Sequence, residues 1–250
     1  MAIEHFFIAG AQRSGTTYLY RLCAEHPQVE MAHPVKPEPK FFITDVLFEK
    51  GIDYYETNFF FGKSETKIRG EKSTSYIEIE TAANRISRFL PSSKIVFILR
   101  DPLERAVSNY WFSVKNGFES LSIEQAFMRE EERLQNYDKT KVSVSPYAYL
   151  RRGRYIDYIE MYEKYFRAGQ IYILLYEDLI NSVQPLRDLY AFLGVDVNYE
   201  PKSLNTIINA NEEKPDKVLD PSLRRYLREY FEECNFRLSE KLGRPLTNWQ

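Results

Sequence analysis

The chain has 250 residues, of which 44% are hydrophobic and 28% are charged, so its composition is that of a globular protein and not of a disordered one. Its net charge of −2 argues against a nucleic-acid binder that relies on a general basic surface. The two cysteines, Cys23 and Cys234, lack metal-type spacing, which leaves no support for a disulfide framework or a zinc site. The length suits one α/β domain with a large core.

No segment of the sequence has the pattern of a membrane span or a secretory signal. No apolar run approaches roughly 18 residues, and no apolar stretch follows a basic N-terminal start. We therefore expect a cytoplasmic protein without a membrane or nucleic-acid partner.

The first predicted strand runs into a glycine-containing turn and then into a helix. Gly10 and Gly15 have the spacing of a Walker A loop, but Thr16 stands where that motif requires lysine. Arg13 supplies a cation inside the loop instead. Glycines let the backbone approach an anion, and the helix N-terminus attracts one. The loop is predicted to bind a phosphate group other than the triphosphate of ATP or GTP; an ordinary strand-to-helix turn is the alternative.

Short apolar strands alternate with amphipathic helices along the whole chain. The predicted strands are 4–9, 68–71, 94–99 and 171–175, and the predicted helices are about 15–25, 78–90, 122–136, 155–167, 183–193 and 221–242. Asp101 and Pro102, as N-cap and first-turn proline, predict one more helix. The segment 136–146 has no period and is predicted to be a mobile surface loop. We expect an α/β fold, a P-loop-type open and mainly parallel sheet with helices on both faces, in a single domain over 1–250.

A second polar segment follows the most apolar predicted strand. Arg100 comes directly after that strand, at the edge where open α/β sheets bind ligands, and Ser108 lies two turns into the next helix. If this helix turns back toward the strand end, the guanidinium and the hydroxyl can bind one phosphate monoester. Alternatively, Arg100 and Asp101 form a surface pair, or Asp101 is a Walker B acid.

Several motifs, taken in order, resemble those of the sulfotransferases that use 3′-phosphoadenosine 5′-phosphosulfate (PAPS). Two of them are Arg-Ser-Gly-Thr-Thr at 13–17 and Arg-Asp-Pro-x-x-Arg-x-x-Ser-x-Tyr at 100–110. The segment 36–42, Lys-Pro-Glu-Pro-Lys-Phe-Phe, resembles the K-E-P-x-F-F segment of the carbohydrate (heparan-type) branch, with one extra proline. The segment 71–76, Glu-Lys-Ser-Thr-Ser-Tyr, resembles the E-K-[ST]-x-x-Y segment of that branch. Residues 152–155 and 176–179 also look like family landmarks.

The resemblance implies transfer of a sulfuryl group from PAPS to a hydroxyl of a glycan or small-molecule acceptor, without a metal. In the family the first loop holds the 5′-phosphosulfate, which assigns donor binding to Arg13, Ser14, Gly15, Thr16 and Thr17. The arginine and serine of the second motif hold the 3′-phosphate, which assigns Arg100 and Ser108 to that group.

The resemblance also implies which residues carry the chemistry. Glu38 is the predicted general base, because the heparan-type branch uses the glutamate of this segment. Glu71 is the alternative base, or else it fixes Lys72. Lys72 and Arg13 suit the leaving oxygen and the transferring group, and Lys40 suits the sulfuryl group or the acceptor. A solvated Glu38 that pairs with a neighbouring lysine is the competing interpretation.

Other possibilities stay open at this stage. His33 precedes the Glu38 segment and is a further candidate base. The loop over about 202–217, which the resemblance implies should close over the nucleotide, contains both lysines and glutamates. A P-loop kinase, which needs a lysine at position 16, and a non-catalytic nucleotide-binding protein are the alternative functions. The sequence specifies neither the acceptor nor the oligomeric state.

Overall fold

The computed structural model describes residues 3–136, 145–204 and 219–249. The strands of these ranges are β1 (Glu4–Gly10), β2 (Val29–Met31), β3 (Ile68–Lys72), β4 (Lys94–Leu99) and β5 (Ile171–Leu175). The helices are α1 (Thr16–Glu25), α2 (Asp45–Phe48), α3 (Ile52–Phe59), α4 (Glu80–Phe89), α5 (Pro102–Lys115), α6 (Ile123–Met128), α7 (Glu130–Gln135), α8 (Tyr155–Glu163), α9 (Tyr176–Asn181), α10 (Gln184–Leu193) and α11 (Pro221–Leu242). No helix within the described ranges is long and apolar enough to cross a membrane.

The five strands form one parallel sheet in the order β2-β3-β1-β4-β5. In the central strand, Phe7 lies opposite Glu71 of β3 on one side and Ile95 of β4 on the other. Parallel strands place their carboxyl ends at one edge, so the residues that follow β1 and β3 are neighbours there. This architecture confirms the predicted α/β fold class.

Apolar side chains cover both faces of the sheet. On one face, Phe6 and Ile8 of β1 belong to a hydrophobic cluster that includes residues of α1 and α10. On the other face, Phe7 packs edge-on against Phe42, with ring centroids 5.4 Å apart, and Phe97 packs edge-on against Tyr162 of α8 at 5.1 Å. Strands buried on both faces must be apolar throughout, which explains why β1 and β4 stand out in the sequence.

The residue contacts divide the chain into two compact units. The first unit comprises Met1–Leu99 and Met161–Ile208 and contains the whole sheet. The second comprises Arg100–Glu160 and Asn209–Gln250, and in it α5 and α11 share a hydrophobic cluster that includes Leu103 and Leu227. The predicted single domain over 1–250 stays a prediction.

The structure corrects two predicted helices. The helix expected over 122–136 is divided at Arg129, which has φ −101° and ψ 11°, into α6 and α7. The helix expected over 155–167 ends at Glu163. The sequence pattern also fails to indicate β2, α2, α3 and α9, each of at most eight residues and therefore too short to show a period. Residues 137–144 of the predicted surface loop lie outside the described residues.

Candidate active site

The phosphate loop joins β1 to α1 and has a constrained backbone. Gly15, the N-cap of α1, has a φ of 86°, and a Cβ placed there would lie 2.5 Å from Cδ2 of Tyr176. Only glycine satisfies both the left-handed conformation and this close contact. Arg13 also has a positive φ, of 69°. Gly15 is followed at once by the first residue of the ten-residue helix α1, so the loop and the helix N-terminus lie together, an arrangement that binds anions.

The hydroxyl side chains of this loop fit a phosphate or phosphosulfate group. Ser14 is fully buried, and its hydroxyl has no hydrogen-bond partner among the described residues. Thr16 is buried and Thr17 half-buried in the first turn of α1. Because buried hydroxyls are normally hydrogen-bonded, the Ser14 hydroxyl is suited to a ligand oxygen.

Glu38 is held against the end of β3 by three groups. Its Oε1 lies 2.5 Å from Nζ of Lys72, and its Oε2 accepts the backbone N–H of Thr74 at 3.0 Å. The Thr74 hydroxyl lies 3.0 to 3.1 Å from both carboxylate oxygens. The Glu38 side chain is 16% exposed and that of Lys72 only 2%. Glu38 is therefore a fixed carboxylate with a small part open to solvent, and not a solvated loop residue.

Glu71 occupies a fully buried position beside Lys72 on β3. The Tyr55 hydroxyl donates to its Oε2 at 2.8 Å, and the Ser73 hydroxyl donates to its Oε1 at 2.6 Å. The Tyr76 hydroxyl is hydrogen-bonded to the same carboxylate. Burial raises the pKa of Glu71 to about 7, although these hydrogen bonds act in the opposite direction.

Lys40 links the Glu38 segment to the Glu71 cluster through its backbone. It has a φ of 51° and precedes a short 3-10 turn, Phe41–Ile43. Its N–H donates to Oγ of Ser73 at 2.9 Å, and the N–H of Phe42 donates to the Tyr76 hydroxyl at 3.1 Å. The structure thus brings together four predicted site residues, directly or through Ser73: Glu38, Lys40, Glu71 and Lys72.

In the second unit, Arg100 precedes α5 and Ser108 lies within it, and both side chains are half-buried. Asp101 caps the helix by accepting the N–H of Leu103 at 2.9 Å, as the sequence predicts. Both oxygens of Asp101 also accept hydrogen bonds of 2.9 Å from Arg228 of α11. Asp101 is therefore a buried structural acid, which argues against the surface-pair and Walker B alternatives. Joint binding of one anion by Arg100 and Ser108 stays a prediction.

Residues outside the predicted set support the predicted ones. Tyr155 donates its hydroxyl to the backbone carbonyl of Arg100 at 2.8 Å. The ring of Tyr176 packs against Gly15, and Thr74 holds Glu38. All three lie within segments that resemble family motifs, but their partners are distant in the sequence. A local pattern can therefore mark such residues without indicating what they contact.

Three further expectations concern His33, the nucleotide-closing loop and the absence of a metal. His33 is exposed and stacks on Phe61, with ring centroids 5.9 Å apart. Of the predicted nucleotide-closing loop at 202–217, residues 205–217 lie outside the described residues. Within the described ranges no group of three or more histidine, cysteine or acidic side chains could hold a metal ion. The metal-free reaction stays a prediction.

The fold and sequence are similar to those of known sulfotransferases. A model of the sulfotransferase domain family matches residues 4–228 of the chain. The structure of the sulfotransferase from Alicyclobacillus acidocaldarius is similar, with a TM-score of 0.81 and 28% sequence identity, over 100% of this chain and 99% of that one.

Sequence relatives include enzymes of the heparan sulfate branch. The chain is 26% identical to bifunctional heparan sulfate N-deacetylase/N-sulfotransferase 4 of Mus musculus, over 99% of this chain and 31% of the relative. It is 25% identical to the membrane-associated sulfotransferase kil1 of Dictyostelium discoideum, over 100% of this chain and 67% of the relative. The chain thus spans about a third of the length of the heparan sulfate enzyme that it matches. Because the family model covers residues 4–228, the chain belongs to the sulfotransferase domain family, as its motifs predict.

Proposed function

We propose that this chain transfers a sulfuryl group from PAPS to a hydroxyl of a carbohydrate or small-molecule acceptor. The observation that carries the proposal is the Glu38 carboxylate, which Lys72 and Thr74 fix beside β3 in a chain of the sulfotransferase domain family. The next strand of the sheet, β1, leads into the phosphate loop. A base and an anion-binding loop are the two parts that this reaction requires.

The donor-binding roles are distributed over two motifs. Thr16, Thr17 and the loop amides bind the 5′-phosphosulfate, with the buried Ser14 hydroxyl available to one of its oxygens. Arg13 adds positive charge at the leaving oxygen, where negative charge grows as the reaction proceeds. Arg100 and Ser108 bind the 3′-phosphate, a group that AMP and ATP lack. When bound, the donor supplies the sulfuryl group and retains the electron pair of the broken sulfur–oxygen bond.

Glu38 is the general base in this proposal. It accepts the proton of the acceptor hydroxyl while that oxygen forms the new bond to sulfur, and such a base contributes roughly 10²–10⁴-fold in rate. The 16% exposure of its side chain leaves room for an acceptor to approach. Glu71 is the less suitable base because it is fully buried among hydroxyl donors. Lys72 orients Glu38 through the ion pair. Lys40 contributes its positive charge to the acceptor or to the sulfuryl group.

A transfer assay tests the proposed function. The protein is incubated with PAPS and a pool of heparan-type oligosaccharides and hydroxyl-bearing small molecules, and the products are analysed by mass spectrometry. We expect a sulfuryl addition to at least one acceptor without added metal. Adenosine 5′-phosphosulfate, which lacks the 3′-phosphate, is the control donor and should react poorly. Phosphoryl transfer from ATP with magnesium would favour the kinase, and nucleotide binding without any transfer would favour the non-catalytic protein.

The cellular setting is a separate part of the proposal. We propose a cytoplasmic location without a membrane or nucleic-acid partner, from the sequence pattern described above. The relative kil1 is described as membrane-associated, so the location requires its own measurement. Fractionation of cells that express the natural gene should recover the protein in the soluble fraction; recovery with membranes would contradict this part alone.

A further inference from the structure

The residues that follow β3 make two sets of contacts with the Glu38 segment. Lys72 and Thr74 contact the Glu38 side chain itself. Ser73 and Tyr76 instead accept the backbone N–H groups of Lys40 and Phe42. The segment 38–42 is therefore fixed both at its carboxylate and along its backbone.

The Glu71 carboxylate determines where the hydroxyl protons of Ser73 and Tyr76 point. A hydroxyl has one proton to donate and two lone pairs that accept, whereas an ionised carboxylate can only accept. Ser73 donates its proton to Glu71, so its lone pairs face the N–H of Lys40. Tyr76, which is also hydrogen-bonded to Glu71, presents its oxygen to the N–H of Phe42 in the same way.

We propose that Ser73 and Tyr76 are positioning residues for sulfuryl transfer, whose hydroxyls, oriented by the Glu71 carboxylate, hold the backbone of residues 38–42 and thereby place Glu38. The inference rests on the proposed function, because this placement affects the rate only if Glu38 takes the acceptor proton. Lys40 has a positive φ that few residues adopt, so the segment needs such external support to keep its conformation. Small displacements of a reacting group are costly, with about 1 Å sufficient for a 10²-fold loss of rate.

Tyr55 provides a matched control within the same cluster. Its hydroxyl donates to the other oxygen of Glu71, at 2.8 Å, and within the part of the chain that the structure describes it makes no hydrogen bond to the backbone of residues 38–42. Tyr55→Phe therefore removes a buried hydrogen bond to Glu71 while leaving both backbone acceptors in place. If these hydroxyls only stabilise the fold, Tyr55→Phe, Tyr76→Phe and Ser73→Ala should lower kcat by similar factors. If Ser73 and Tyr76 position Glu38, kcat should fall more in Tyr76→Phe and Ser73→Ala than in Tyr55→Phe.

Two measurements test the proposal, both above the pKa of Glu71, where its carboxylate is ionised. Hydrogen exchange followed by NMR should show the Lys40 amide losing protection by about tenfold or more in Ser73→Ala, and the Phe42 amide in Tyr76→Phe. Both amides should stay protected in Tyr55→Phe. In transfer assays, kcat should fall about tenfold in Ser73→Ala and Tyr76→Phe, with donor KM within about twofold. Ser73→Thr, which retains a hydroxyl, should restore kcat.

Either of two results would overturn the proposal. One is unchanged exchange at Lys40 in Ser73→Ala, and the other is an equal fall in kcat in Tyr55→Phe. The exchange measurement needs neither donor nor acceptor, so its result stands even if no sulfuryl transfer is found. The amides of residues 38–42 can prove to be protected while Glu38→Gln keeps full activity. That combination of results would refute the base assignment and, with it, the catalytic part of this inference.

Discussion

Two glutamates of the first unit have opposite environments and, in our account, opposite roles. Glu38 carries an ion pair with Lys72 and keeps part of its side chain in contact with solvent. Glu71 is fully buried and surrounded by hydroxyl donors. A base must reach its substrate, whereas a group that orients other side chains need not. Burial and partners thus separate two residues that the sequence motifs alone leave as competing candidates.

Glu38→Gln tests the base assignment. The amide keeps the shape of the side chain and can still meet Thr74, but it cannot accept the proton of the acceptor. We expect kcat to fall by about 10²-fold or more while affinity for the product nucleotide, 3′-phosphoadenosine 5′-phosphate (PAP), is retained. Steady-state kinetics and calorimetry measure the two quantities. A nearly normal kcat would show that another residue takes the proton.

Burial also gives Glu71 a pH-dependent effect on stability. The pKa of Glu71 in the folded protein is raised by burial from 4.5 to about 7. Between these values the folded chain holds a proton that the unfolded chain releases, so the free energy of unfolding falls as pH rises through this window. The loss attributable to Glu71 should be on the order of 3 kcal/mol.

Chemical denaturation at a series of pH values compares the wild type with Glu71→Gln. The variant has no titrating group at this position, so its free energy of unfolding should change less across the window. Parallel pH dependences in the two proteins would show that Glu71 titrates at its ordinary value in the folded chain. Comparing the change with pH, and not the absolute stability, removes the constant cost of the substitution itself.

At the scale of the elements, the junction of β1 and α1 depends on one glycine. In Gly15→Ala the positive φ of 86° would be strained, and the new Cβ would meet the Tyr176 ring at 2.5 Å. We expect a loss of PAP affinity of more than tenfold and a loss of stability of about 1–3 kcal/mol.

Gly194→Ala is a matched control for this change. Gly194 ends α10 with a φ of 78°, and a Cβ there would meet no atom within 4 Å. The backbone penalty is therefore similar, but the phosphate loop is untouched, so PAP affinity should be unchanged. Calorimetry that finds wild-type PAP affinity in Gly15→Ala would contradict the phosphate-binding role of the loop.

The start of α5 depends on an ion pair with α11. Arg228→Ala would leave the Asp101 carboxylate, which is 4% exposed, without its two hydrogen bonds from the guanidinium. We expect a loss of about 1–3 kcal/mol in stability. Because Asp101 lies next to Arg100 and caps the helix that bears Ser108, PAP affinity should fall about threefold to tenfold while AMP affinity does not.

Arg237→Ala on the same helix provides the comparison. Arg237 is 34% exposed and forms ion pairs with Asp157, Glu160 and Glu233, and exposed ion pairs of this kind contribute little to stability, so its loss should leave the free energy of unfolding nearly unchanged. PAP affinity should not change in this variant. Equal weakening of PAP and AMP in Arg228→Ala would mean that the ion pair supports the fold in general and not the 3′-phosphate contacts.

At the scale of the whole molecule, the sequence predicts the sheet better than it predicts the site. Continuous apolar strands such as β4 are recognisable because burial on both faces demands them. Asp101 and Pro102 correctly mark the start of α5, since capping is a local property. Elements of a few residues, such as β2, have too little length to show a period.

The candidate site shows the same division between local and distant contacts. The motifs indicate Glu38, Glu71 and Lys72 as site residues, but not that Lys72 pairs with Glu38 across 34 positions of the chain. Nor do they indicate that Ser73 accepts the N–H of Lys40. Such contacts arise because β3 and the Glu38 segment meet in the folded chain, and no local pattern encodes that meeting.

The proposed reaction requires that this chain bind a nucleotide that carries both a 5′- and a 3′-phosphate. Titration calorimetry without metal compares PAP, AMP and ATP on the wild type and on Arg100→Ala. We expect PAP to bind much more tightly than AMP or ATP, and Arg100→Ala to weaken PAP at least about tenfold while leaving AMP unaffected. Equal affinity of the wild type for PAP and AMP would contradict recognition of the 3′-phosphate and, with it, the use of PAPS as donor.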